Sequence, residues 1–180
     1  CTVLLVGSRH IEQVLAASGE LVDWVARVAP QVGRMIALCS GSFFLAAAGV
    51  LNGRRAATHW SVASLLAQRY PGIAVDADAI YVRDGSYWTS AGVTAGIDLA
   101  LAVVEQDFGH ALALDVARDL VMYLKRPGGQ SQFSVSLAAQ STQHSGVQAA
   151  QQWVLEHLDQ PMPLALLAGK AAMSERNFRR

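Results

Sequence analysis

Met35-Ile36-Ala37-Leu38-Cys39-Ser40-Gly41-Ser42-Phe43 is the stretch whose reading decides the fold. Four successive apolar residues, 35–38, predict a buried strand. Cys39-Ser40-Gly41-Ser42 is a turn of small residues, and 43–50 is the helix after it, closed by Asn52-Gly53. Upstream, 2–6 is a short β-branched strand ended by Gly7-Ser8. Residues 20–28 then place Leu21, Trp24, Val25 and Val28 on one helical face before Pro30 and Gly33 stop it. Strand, helix, strand, turn, helix is a βαβ unit, which implies a parallel sheet.

Downstream, 61–69 is a short helix stopped by Pro71-Gly72. Runs 79–83 and 86–89 flank Asp84-Gly85, a hairpin turn signal. Two longer helices, 96–107 and 111–124, lie either side of Gly109. The texture changes at Lys125: Arg126-Pro127-Gly128-Gly129-Gln130-Ser131-Gln132 is turn-rich and 140–146 is polar and small, the composition of a connector. Three helical segments follow, 147–158, 163–171 and one opened by Ser174. The predicted division is an α/β domain over 1–124, a linker over 125–146 and the start of a helical domain over 147–180.

Composition bounds the function. Of 180 residues, 52% are hydrophobic and 16% charged, enough to build a core. Lys+Arg 14 balances Asp+Glu 14, so any nucleic-acid contact must sit in a local patch. No apolar run approaches the roughly 18 residues of a membrane span, and 1–6 is too short for a secretory core. The 2 cysteines form no disulfide framework, so the expected location is cytoplasmic. The chain begins in a strand and stops in a helix, so both ends read as truncated.

Cys39 carries the first candidate chemistry. A sharp strand-to-helix turn pushes one side chain above the sheet edge, and the helix start supplies free N–H groups that favour a thiolate and stabilise an oxyanion. The logic is that of the nucleophile elbow, with Cys in place of Ser. The competing reading is an inert buried thiol. His59, in Arg55-Ala56-Ala57-Thr58-His59-Trp60, is the partner to test, against a packing or capping role. His10, His110, His144 and His157 show no ligand spacing, so no metal and no cofactor is expected. Ser90-Ala91-Gly92-Val93-Thr94-Ala95-Gly96 is small enough to leave room for a ligand at a helix start; the alternative is a tight turn with Thr94 as N-cap.

At the C-terminal end, Leu164, Leu167 and Ala168 pack one helix, Met173 fills a turn, and Ser174 caps the next. Arg176, Arg179 and Arg180 stand at i, i+3, i+4 on that last helix, with Phe178 turned to a core. This is the geometry that enters a major groove, although a solvated basic helix has the same pattern.

Cys39 to Phe43, Ala47-Ala48-Gly49-Val50-Leu51-Asn52-Gly53-Arg54-Arg55-Ala56-Ala57-Thr58-His59-Trp60, Thr89 to Leu101, and Arg126 to Gln130 together resemble the ThiJ/PfpI-type, class I glutamine amidotransferase-like domain. The nearest subgroup is the GlxA-like transcription regulators. Met173-Ser174-Glu175-Arg176-Asn177-Phe178-Arg179-Arg180 resembles the second helix of the first helix-turn-helix in AraC/XylS-type regulators. The resemblance implies a flavodoxin-like parallel sheet flanked by helices, truncated N-terminally, and an all-α helix-turn-helix segment truncated C-terminally. It makes Cys39 the elbow cysteine and places Arg176, Arg179 and Arg180 toward DNA. Ser40 stands where the peptidase-like branch has His, so that dyad is missing, and the family's acidic partner lies upstream of this chain. The Thr-His-Trp segment also occurs in isonitrile hydratase-like enzymes. Ala172 stands where the family has Gly, so a slightly different turn is expected.

The expected function is sequence-specific DNA binding by a transcription factor whose α/β domain senses a small-molecule effector or dimerises, without being an enzyme. Expected partners are operator DNA, an effector and a second copy of the chain, with no membrane. Candidate site residues are Cys39 and His59 for chemistry, Ser40, Gly41, Gly92 and Val93 for ligand, and the three arginines for DNA. The alternatives are a cysteine-dependent hydratase or amide hydrolase, and a purely structural dimerisation module.

Overall fold

The structure is a computed structural model that describes residues 1–126, 128–131 and 144–179. The chain divides into two compact units, Cys1–Gln130 and Ser131–Arg180.

The first unit contains strands β1 (Thr2–Val6), β2 (Arg34–Leu38), β3 (Arg55–Ala56), β4 (Ala74–Val75), β5 (Tyr81–Asp84) and β6 (Tyr87–Ser90). Its helices are α1 (Ile11–Ala17), α2 (Gly19–Val28), α3 (Ser42–Ala47), α4 (Trp60–Arg69), α5 (Val93–Phe108) and α6 (His110–Asp119). The main sheet runs β1-β2-β6-β5. β1, β2 and β6 are parallel, and β5 closes the edge antiparallel to β6. β3 and β4 pair separately.

After Arg34, β2 is apolar because helices cover both its faces. Met35 and Ala37 join Leu5, Val25, Phe43 and Leu45 in the larger core, while Ile36 packs with Trp88 and Leu99 on the α5 side. The register aligns Val6 with Leu38 and Leu38 with Ser90, so the carboxyl ends of three parallel strands meet. Open α/β sheets place ligands at that end.

Several expected boundaries move. The hairpin turn is Gly85-Ser86, since Asp84 pairs with Tyr87; Gly85 takes a φ of 59° at the first turn position, where a residue without Cβ is favoured. α3 stops at Ala47 because Gly49 turns left-handed at φ 74°. α6 stops at Asp119, ahead of Val121, which is left-handed and 91% exposed. α5 begins at Val93 with Gly92 as its cap, so Thr94 lies inside the first turn and is not the N-cap.

The connector-like residues after α6 are partly seated on this unit. Arg126 forms a bidentate pair with Asp98 of α5, and its Nε donates to Asp98 Oδ1 at 2.8 Å. Gln130 is buried. Residues 132–143 of the predicted linker lie outside the described residues.

The second unit holds α7 (Ser145–Glu156), α8 (Leu164–Lys170) and α9 (Glu175–Phe178). Ala150, Ala168 and Ala171 form its buried contacts, and any Cβ at Gly146 would meet the Ala171 carbonyl oxygen. Trp153 stacks on His157 at 4.4 Å, with Lys170 Nζ 4.8 Å from its ring. Ser174 caps α9, its Oγ accepting the Asn177 N–H. Ala172, between α8 and α9, has a φ of 52°. The turn therefore keeps the left-handed backbone that favours glycine, and Ala bears the strain, about 1 kcal/mol. Phe178 is half-buried, and Arg176 and Arg179 are exposed. Arg180 lies outside the described residues.

Candidate functional site

Cys39 leaves β2 into a single 3-10 turn, Cys39–Gly41, with a φ of 56°. A side chain with a Cβ held in this left-handed region stores strain that the surroundings must impose. They do so through hydrogen bonds. Ser42 Oγ donates to Thr58 Oγ1 at 2.9 Å, and Thr58 Oγ1 donates to the Cys39 carbonyl at 3.0 Å. Ser40 Oγ accepts the Ser8 N–H at 2.9 Å and donates to the Ser8 carbonyl at 2.8 Å, tying the elbow to the end of β1. A Cβ at Gly41 would lie 2.7 Å from the Leu5 carbonyl oxygen, and one at Gly7 would lie 2.5 Å from Ser40 Oγ. Both glycines serve close backbone approach.

The elbow opens onto a cavity of about 750 Å³. Cys39, Ser40, His59, Gly92 and Val93 all line it, so the structure brings five of the six ligand and chemistry candidates together. Gly41 does not line the cavity; it lies buried behind the elbow. A Cβ at Gly92 would sit 3.4 Å from His59 Cδ2, which places the imidazole against the start of α5.

His59 also caps α4, a contact that favours one tautomer. Its Nδ1 accepts the Ser61 N–H at 3.3 Å and lies 2.7 Å from Ser61 Oγ. A nitrogen that accepts a backbone N–H carries no proton of its own, so the neutral ring holds its proton on Nε2. The ring then offers a donor, the hydrogen bond that a bound carbonyl or anion takes. A neutral ring in this state has no free acceptor with which to deprotonate a thiol.

Sequence reasoning missed the loop after β1. Val6, Gly7, Ser8 and Arg9 line the same cavity. The signal was available in Gly7-Ser8 ending a parallel strand beside the elbow strand. It also missed Thr58, whose side chain is fully buried beneath Cys39. Ser90 Oγ, on a residue in register with Leu38, is buried and has no hydrogen-bond partner among the described residues.

Ion pairs brace the unit elsewhere. The Arg55 N–H and then Arg54 hold the Asp84 carboxyl below its ordinary range. His110 and Lys125 do the same for Glu105, and Arg34 for Asp107. Among the described residues no cluster of three or more His, Cys, Asp or Glu is placed to hold a metal, and no helix is long and apolar enough to cross a membrane.

Known proteins resemble this arrangement. The HTH-type transcriptional regulator CdhR of Pseudomonas aeruginosa is 35% identical over 116 residues, 64% of this chain and 34% of that protein. Isonitrile hydratase of Pseudomonas putida is 38% identical over 91 residues, 50% of this chain and 38% of that enzyme. The HTH-type transcriptional regulator ArgR of Pseudomonas aeruginosa is 27% identical over 178 residues, 99% of this chain and 53% of that protein. The chain thus spans between a third and just over half of the length of these relatives. Among solved structures, an AraC family transcriptional regulator from Pseudomonas putida superposes with a TM-score of 0.57 at 26% identity, covering 65% of this chain and 62% of that one. The parallel-dominated sheet flanked by helices agrees with the family fold, and the family profile matches residues 1–106, more than half of the sequence. The chain belongs to the DJ-1/PfpI family.

Proposed function

We propose that this chain is part of a DNA-binding transcription regulator. Its α/β unit binds a small-molecule effector in the Cys39–His59–Gly92 cavity, and its last helices begin a helix-turn-helix domain. In this reading 1–124 is the sensing domain, 125–146 the linker and 147–180 the start of the DNA-reading domain. The whole protein works in the cytoplasm as a homodimer.

The observation that carries the reading is the α8–turn–α9 unit. A left-handed residue at Ala172 and a Ser174 cap direct a helix start that exposes Arg176 and Arg179 three residues apart, one helical neighbour spacing. Side chains at the start of a second helix after such a turn are the ones that reach base edges. The 99% alignment with ArgR, which is named a transcriptional regulator, includes these helices and supports the same role.

The test is operator binding by the intact regulator. Arg179→Ala should weaken binding by roughly tenfold or more, the size of one lost bidentate or phosphate contact. Binding that shows no sequence preference at moderate salt, or that is indifferent to Arg179→Ala, would refute the assignment.

A second reading, a cysteine-dependent hydratase or amide hydrolase, is favoured by the strained Cys39 turn and the likeness to isonitrile hydratase. The Nδ1 engagement of His59 counts against it, because the neutral ring then carries its proton on Nε2 and has no free nitrogen acceptor for a thiol proton.

A further inference from the structure

Gln130 is the last residue of the α/β unit, and its side chain reaches back into that unit. Oε1 accepts the Trp60 N–H at 2.8 Å, and Nε2 donates to the Thr58 carbonyl at 3.0 Å and to the Ala79 carbonyl at 2.9 Å. Two of these three bonds grip the residues on either side of His59. The third, with the Gln130 N–H donated to the Asp78 carbonyl at 2.7 Å, fixes the segment to the chain before β5. Gly129 approaches so closely that a Cβ there would lie 2.5 Å from the Asp78 carbonyl oxygen. Thr58 in turn donates to the Cys39 carbonyl. A hydrogen-bonded path therefore runs from the elbow through Thr58 to Gln130.

We infer that Gln130 is a positioning residue for His59, and that its amide couples the state of the Cys39–His59 cavity to residues 128–130 at the end of the α/β unit. The inference rests on the cavity being the sensing site proposed above. Gln130 uses three of its amide hydrogen-bonding positions on two segments at once. A group in the cavity that displaces the imidazole or the elbow moves the Thr58 carbonyl or the Trp60 N–H, and the amide cannot keep all three partners. The hold on Gln130 then weakens with it. Coupling of this kind is reciprocal, so loosening Gln130 must also change the cavity.

The test needs no DNA, so its failure is distinguishable from failure of the regulator assignment. In a Cys1→Ser chain Cys39 is the remaining thiol. Alkylation with iodoacetamide places a carbamidomethyl group in the cavity. Hydrogen exchange at the Trp60 and Gln130 amides should then change by about tenfold or more, with the Leu99 amide of α5 as the unmoved reference. Exchange at both amides that stays within about twofold of the unalkylated chain overturns the inference. Independently, Gln130→Met keeps the side-chain volume and removes all three bonds. Alkylation of Cys39 should accelerate about fivefold in this variant as the His59 segment loosens, and an unchanged rate in the folded variant overturns the positioning role. Should Gln130→Met not fold, the exchange measurement on the chain that retains Gln130 decides alone.

Discussion

Replacing Arg126 by methionine should destabilise the α/β unit by about 3 kcal/mol, for a reason readable from one ion pair. Asp98 is 3% exposed, and among the described residues its carboxylate has Arg126 as its hydrogen-bond partner, through Nε and Nη2. Removing one member of a buried pair leaves a charge that neither water nor protein solvates, which costs about 3–5 kcal/mol. The Arg126 side chain is 18% exposed, so some water reaches the pair and the lower end applies. Methionine retains the packing of the aliphatic stem, which separates charge from contact. Asp98→Leu combined with Arg126→Met removes both charges, and that double variant should return to within about 1 kcal/mol of the parent. Urea unfolding followed by fluorescence provides the assay, with Trp88, 2% exposed on the same sheet face, as reporter. If Arg126→Met lost less than about 0.5 kcal/mol, the pair would be a surface pair in effect, and the account of how 126–130 is held would be wrong.

Ala172→Gly should stabilise the second unit by a few tenths to about 1 kcal/mol, the relief of a φ of 52° less the added freedom of the unfolded chain; a lower melting temperature for that unit would contradict the geometry. Gly41→Ala should cost about 1–3 kcal/mol because its Cβ would meet the Leu5 carbonyl oxygen at 2.7 Å, whereas Gly19→Ala, with open space around it, should stay within about 0.5 kcal/mol; equal melting temperatures for the two would sink the close-approach argument. Acid should weaken the fold through Asp84, Glu105 and Asp107, all held below their ordinary values of 3.8, 4.5 and 3.8. Their contribution is complete above those values and fades as the pH falls below them toward the lower folded values, so an unfolding midpoint in urea that does not drop on acidification below about pH 4 would contradict the pairing.

The elements that matter for the site were legible because their signals are local. An unbroken apolar run predicts β2, covered on both faces, and the small residues after it predict the elbow. A Gly in the hairpin predicts the reversal between β5 and β6 to within one residue. β3 and β4, two residues each, carry no period to detect. α1 turns only Ile11 and Leu15 inward and follows a Gly-Ser loop that masks its start. Of the site, Cys39, His59, Gly92 and Val93 stand in recognisable motifs, and the structure sets them around one cavity. Ser8, Thr58 and Gln130 are invisible as partners in one dimension, since their bonds span separations of 19 to 72 residues. Connector-like composition at 126–130 signals turns correctly yet says nothing of the amide that reaches back.

The backbone at Cys39 makes that position an adverse place for any residue but glycine, so the chain gives up folding free energy to keep sulfur there. Replacement by glycine would delete the thiol and relax the bend in one stroke, and any change in behaviour would then have two origins. Alanine or serine preserves the contorted geometry while removing the sulfur, and only such a pair separates what the atom does from what the bend does.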